Sequence, residues 1–157
     1  MTTRRLAAAA SATVALVVLT GCQQPTSKVT VRSDRAVVTV DAERWCKDNK
    51  VPADGQCPQR AVNAPVLNVA PGTRVTVDVP RAVAHQGWLV AINGQQVSNL
   101  QKDHFVAVTA DAIAQVVQAQ AAQGQGGLAQ LQIVRLRADG DKLTPTAQWR
   151  VVLAQKD

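Results

Sequence analysis

Arg74-Val75-Thr76-Val77-Asp78-Val79-Pro80 carries the fold in miniature. Valines alternate with Arg74, Thr76 and Asp78, so one face of a strand is apolar and the other polar. Proline then removes a ladder donor and ends the run. The same period of two recurs upstream, where Val29 and Val31 alternate with Lys28, Thr30 and Arg32. Ser33-Asp34 interrupts that strand, and Ala36 to Val40 reads as its hairpin partner. Val66 to Val69 is a further strand, followed by the turn residues Pro71-Gly72. Trp88 to Ile92 is continuously apolar, as in a strand buried on both faces. Asn93-Gly94 then gives a hairpin turn with Val97 to Leu100 expected to pair back.

His104 to Val108 reads as one more strand. The period then changes: Thr109-Ala110-Asp111 starts a helix over 112–123 that aligns Ile113, Val116, Val117 and Ala121. Gln115, Gln118 and Gln123 form its solvated side, and Gly124, Gly126 and Gly127 stop it. Leu128 to Arg137 and Ala147 to Ala154 make a last hairpin around Ala138-Asp139-Gly140-Asp141, with Trp149, Val151 and Leu153 on one face. Asp41 is expected to cap a short helical turn through Glu43, Arg44, Trp45 and Cys46. The whole predicts a mainly β domain: an antiparallel immunoglobulin-like β-sandwich of about seven or eight strands with one short helix. A small barrel is the alternative. The chain shows no internal repeat and no second domain.

The N-terminus assigns a location. Arg4 and Arg5 precede an uncharged run from Leu6 to Leu19, and Leu19-Thr20-Gly21-Cys22 closes it. This arrangement resembles the bacterial lipobox, in which the cysteine accepts a diacylglyceryl group and becomes the mature N-terminus. Two acyl chains hold a protein on a bilayer far more firmly than one. Residues 1–21 therefore read as a lipoprotein signal peptide, 22–28 as a tether and 29–157 as the domain. The protein is expected on the extracytoplasmic face of the cell membrane, lipid-anchored through Cys22. A plain cleaved signal and a retained anchor are the other readings. The pair of arginines also resembles a twin-arginine signal, with ordinary secretion favoured.

Composition excludes several classes. The formal charge of the chain is +6; without Arg4 and Arg5 it is +4, mildly basic. That suits anionic lipid heads or wall polymers and gives no reason to expect nucleic acid. There is no Tyr, a single Phe (Phe105) and no Met beyond Met1. Aromatic platforms for single strands or flat sugars are thus limited to three tryptophans, and a blue-copper site lacks its usual axial methionine. With Cys22 lipidated, Cys46 and Cys57 remain as a pair for an oxidising compartment. No His lies between them to suggest a metal site, so a disulfide is expected. It is too short-range to be the inter-sheet bridge of antibody domains, and in the chain-entropy model it contributes about 3 kcal/mol.

Chemistry-bearing residues are sparse. His85 sits in a loop before Gly87-Trp88, and His104 follows Asp103. Neither Ser33 nor Ser98 stands in a nucleophile elbow. Asp139 and Asp141 are explained by the hairpin turn, and Asp41 and Glu43 by helix-start charge. No catalytic residue, metal or cofactor is expected. Trp88 and Trp149 read as core. Trp45, near the disulfide loop with Arg44, Lys47, Lys50 and Arg60 around it, is the candidate partner-binding site, since loops on a rigid scaffold are where binding residues concentrate.

Lipobox, Val29-Thr30-Val31, the Cys46 and Cys57 pair, Pro71-Gly72-Thr73, Gly87-Trp88 before Asn93-Gly94-Gln95, and a late Trp149 strand follow in that order. The order and spacing, over roughly Val29 to Lys156, resemble an actinobacterial lipoprotein family of unknown function (domain-of-unknown-function family 2771). The resemblance implies fold and location and assigns no activity. The expected function is a membrane-anchored, non-enzymatic envelope lipoprotein. Its expected partner is an envelope protein or an anionic wall polymer, with oligomeric state left open. The rivals are a carrier of lipid or wall fragments and an envelope hydrolase.

Overall fold

The computed structural model describes residues 28–122 and 128–155. The signal peptide, Cys22, most of the tether and the three glycines after the helix lie outside them. Ten strands form two sheets. The first contains β1 (Lys28–Arg32), β2 (Val37–Asp41), β5 (Val75–Asp78) and β8 (Phe105–Val108), in the order β2-β1-β5-β8. The second contains β3 (Arg44–Trp45), β10 (Lys142–Gln155), β9 (Leu128–Asp139), β6 (Trp88–Ile92) and β7 (Gln95–Gln96), in that order. β4 (Val66–Val69) also joins β10, and it does so in parallel, with Leu67 opposite Leu153; every other pairing is antiparallel. Of the helices, α1 (Arg81–Ala84) is one turn and α2 (Ala110–Ala121) is the long one.

Alternation in the sequence becomes alternation in burial. Val29, Val31, Val75, Val77, Leu131, Ile133, Trp149 and Val151 are fully buried between the sheets, together with Trp88, Val90 and Ile92. Val79 and Leu153 join them, so the valine and tryptophan faces are core as expected. The Trp88 indole N–H cannot reach water and donates to the Asp103 carbonyl at 2.8 Å. Thr109 caps α2 through its hydroxyl to the amide of Ala112, and Ile113 and Val116 add to the same core.

Four expectations change. Two very short strands, Arg44–Trp45 and Gln95–Gln96, raise the strand count above seven or eight. Residues 43–46 are extended rather than helical, because Glu43 N–H bonds Gln148 O and Cys46 N–H bonds Thr146 O. The only helical turn nearby is a 3-10 turn at Lys47–Asn49. Val97–Leu100 forms no strand: after the Asn93-Gly94 turn the return pairing is Gln95–Gln96, with Val97 bonding back to Val90 and one bridge from Gln101 to Trp88. α1 was not expected; it follows Pro80, whose fixed φ suits a helix entrance.

The registers define two ends. Lys28 enters opposite Asp41, and β1 runs away from it to Arg32. Asp78 and Phe105, neighbours across β5 and β8, lie toward the Lys28 end. From Asp78 the chain crosses through Pro80 and α1 into Trp88, at the start of β6. Trp88 pairs with Arg135, beyond which β9 and β10 project as a hairpin tipped by Asp139 to Lys142. The opposite end holds the Ser33–Ala36 and Ala70–Thr73 turns.

Candidate functional site

The disulfide forms as expected, with Cys46 and Cys57 Cα atoms 4.7 Å apart. Its sulfurs are buried, and the Cys57 sulfur lies 3.4 Å from the Thr146 carbonyl oxygen. Thr146 sits in a bulge of β10 next to Pro145, where the ladder shifts register. Arg135, only 4% exposed, ties this corner together. Its Nε donates to Thr146 Oγ1 at 2.9 Å, and one terminal nitrogen donates to the carbonyls of Cys46 at 3.0 Å and Thr146 at 3.2 Å. Burial pushes its guanidinium below the usual arginine range. The same group lies 4.2 Å from the centre of the Trp45 ring, a cation–π stack. Trp149 meets Trp45 edge-on at 6.0 Å.

Trp45 is half-buried, so it keeps some accessible surface, while Arg135 and Trp149 engage its ring. Arg44 and Trp45 pair with Gln148 and Ala147, successive residues of β10, so their side chains leave on opposite faces of the sheet. The structure therefore separates Arg44 from Trp45. Lys47 and Lys50 are exposed on the loop, and exposed Arg60 follows Gln59 along the outer edge of β3. The five residues expected around the loop do not converge on one surface.

Other chemistry-bearing groups are engaged locally. Ser33 Oγ donates to Asn68 O at 3.3 Å, and Ser98 Oγ accepts from Val90 N–H at 2.8 Å. Asp139 pairs with Arg137 at 3.3 Å. His85 and His104 are both exposed at the Lys28 end. Among the described residues no group of three or more His, Cys, Asp or Glu side chains is placed to hold a metal ion. Between the Ser33–Ala36 and Ala70–Thr73 turns lies an open cleft of about 520 Å³, lined by Asp34, Arg35, Asn68 and Val69 among others.

The outer faces of the two sheets differ in charge, although each exposes large apolar side chains, Val37 and Phe105 on the first and Val66 and Leu128 on the second. On the first sheet the outward positions include Lys28, Arg32, Asp41 and Asp78, with ion pairs Lys28–Asp41 at 3.9 Å and Arg32–Asp78 at 3.1 Å. On the second sheet, Leu89, Val134 and Gln148 form one cross-strand row, and Ala91, Gln132 and Arg150 the next. Gln130, Val152 and Val66 follow, then Leu128, Ala154 and Asn68. Among the described residues the charges on this face are confined to the β3 side: Arg44, and Arg150, which holds Glu43 through two guanidinium nitrogens. Val66 and Leu128 are 55% and 61% exposed. Leu89, Val134 and Val152 are half-buried and belong to no part of the core between the sheets, while Ala91 on the same face is buried.

An outward sheet face built from amides and aliphatics is unusual for a face that meets only water. The strand reading of Leu128 to Arg137 assigns it no faces, so this side of it does not stand out. The signal was present in Leu128 to Val134, where the residues between the buried Ala129, Leu131 and Ile133 carry no charge at all.

A family model described as "Protein of unknown function (DUF2771)" matches residues 22–154. No curated protein and no solved structure matches the chain.

Proposed function

We propose, on the premise that this chain belongs to the family of unknown function DUF2771, that it is a lipid-anchored, non-enzymatic envelope protein. In this reading the outer face of the β3-β10-β9-β6-β7 sheet docks an envelope protein. The observation that carries it is that face: Leu89, Val134, Val152, Val66 and Leu128 outside the core, set among Gln130, Gln132 and Gln148. Interface centres are depleted in charged residues. An anionic wall polymer would need a row of free cations, and among the described residues this face offers only Arg44 beside the Glu43–Arg150 pair. The anchor is supported by the family match, which begins at Cys22, the residue that the lipobox would make the mature N-terminus. The immunoglobulin-like arrangement is supported by two sheets sharing one apolar core; the parallel β4 and the disulfide at a sheet corner are its departures.

Trp88 and Trp149 fill the space between the sheets, which disfavours a lipid carrier. The test is capture from membranes by the lipidated chain. Val66→Lys with Leu128→Lys changes two exposed positions and should abolish capture of a protein that the unaltered chain retains. Val37→Lys, on the outer side of the other sheet, should leave that capture intact. If the Val37 variant loses the partner and the face variant keeps it, the docking face is wrongly assigned.

A further inference from the structure

We infer that the Lys28 end of the domain rests on the lipid interface, through Leu100, Phe105 and Leu143 with Lys102 and Lys142 beside them. The inference rests on the anchor at Cys22. Five residues lie between Cys22 and Lys28, six Cα–Cα steps, so a fully extended tether spans only about 20 Å. The end at which β1 enters is thereby held near the bilayer, and the cleft at the far end is carried away from it.

The side chains at the held end fit that surface. Phe105, the chain's only phenylalanine, is 62% exposed. It opens β8 beside Asp78, two positions from the level of Lys28 in the sheet. Leu100 and Leu143 are 44% and 49% exposed. Leu100 belongs to the loop that bridges to Trp88 at this same end, and Leu143 stands on the β9–β10 hairpin. Lys102 and Lys142 lie within two residues of these leucines, and neither has an ion pair among the described residues. Large apolar side chains flanked by lysines with long stems are what the headgroup region accommodates.

Charge is not the driving term. Asp103, Asp139 and Asp141 stand close to the same lysines, so the contact depends on the apolar side chains and should persist on zwitterionic lipid. It need not be strong, because the anchor keeps the effective concentration of bilayer high. The protein face proposed above would then stand upright beside the membrane, open to a neighbour that also sits on it.

The experiment uses the lipidated full chain in phosphatidylethanolamine–phosphatidylglycerol vesicles and in phosphatidylcholine vesicles. A nitroxide is placed at Lys102→Cys or, as the far-end reference, at Arg35→Cys. Relative accessibility to oxygen over a water-soluble nickel chelate should be several-fold higher at position 102 than at 35 in both lipids. Adding Phe105→Ser and Leu143→Ser should bring position 102 down to the value at 35. Equal values in the unaltered protein would overturn the inference. So would shielding at 102 that persists in detergent and grows with protein concentration, which would indicate a second copy instead. Failure of the chain to float with vesicles would refute the anchor itself, and it is read independently of the labels.

Discussion

Replacing Arg135 tests how the disulfide corner is held. Arg135→Met keeps an unbranched side chain out to the position of Nε and removes the cation and its fork. The Thr146 carbonyl would keep Cys46 N–H as a partner, at 2.8 Å. The Thr146 hydroxyl would keep the Arg135 carbonyl, at 3.4 Å. The Cys46 carbonyl would lose the donor at 3.0 Å, and leaving a buried acceptor unpaired costs about 1–3 kcal/mol. Loss of the stack on Trp45 adds about 1 kcal/mol. Part of this is offset, because a buried guanidinium no longer has to be held away from water. The net expectation is a loss of about 2 kcal/mol. Arg135→Lys should be worse, at about 3 kcal/mol, since it keeps the buried charge and loses the planar fork and stacking. Urea titrations followed by tryptophan fluorescence would rank the three proteins. A lysine variant as stable as the unaltered protein, or more stable than the methionine variant, would refute the reasoning.

The remaining expectations are simpler. Reducing Cys46–Cys57 should cost about 2–4 kcal/mol in the same titration, the range for a closed loop of this length. Trp88→Ala empties a fully buried site and orphans the Asp103 carbonyl, so a loss of about 3–5 kcal/mol is expected from thermal unfolding. Gly87→Ala should destabilise by about 1–2 kcal/mol: φ there is +91°, and a Cβ would lie 3.2 Å from Leu100 Cδ1. Mass spectrometry of membrane-extracted protein should find a diacylglyceryl group on Cys22, absent in Cys22→Ala.

Local alternation made most strands legible. Val75 to Val79 takes the place that its period requires, since one buried face fixes the register; Trp88 to Ile92, an apolar run with no period of its own, is a strand as expected and puts Trp88, Val90 and Ile92 into the core between the sheets. Partners that lie far apart in the chain were less so. Nothing local to Val66–Val69 says that it will run parallel to β10, because a short apolar strand serves either direction. Arg44-Trp45 has no strand pattern of its own and is extended because β10 supplies its hydrogen bonds; tertiary pairing overrides a weak helical signal. The candidate site suffered from the same distance. Proximity in sequence grouped Trp45 with Arg44, whereas strand geometry sends them to opposite faces, and the ring of Trp45 meets an arginine 90 residues downstream. The amide-rich face is assembled from β4, β6, β9 and β10, so no single stretch announces it.

The position of β1 has a mechanical consequence. It is an interior strand, flanked by β2 on one side and β5 on the other. A load applied between a membrane anchor and a partner gripping the opposite sheet enters the domain through Lys28, along the axis of that strand. Hydrogen bonds on both flanks would then be strained together in shear instead of being peeled away one at a time. Anchorage through an edge strand such as β2 would allow unzipping from a single side. If the chain is anchored and partnered as proposed, tethering through β1 would let it transmit a pull between membrane and partner before its first sheet gives way.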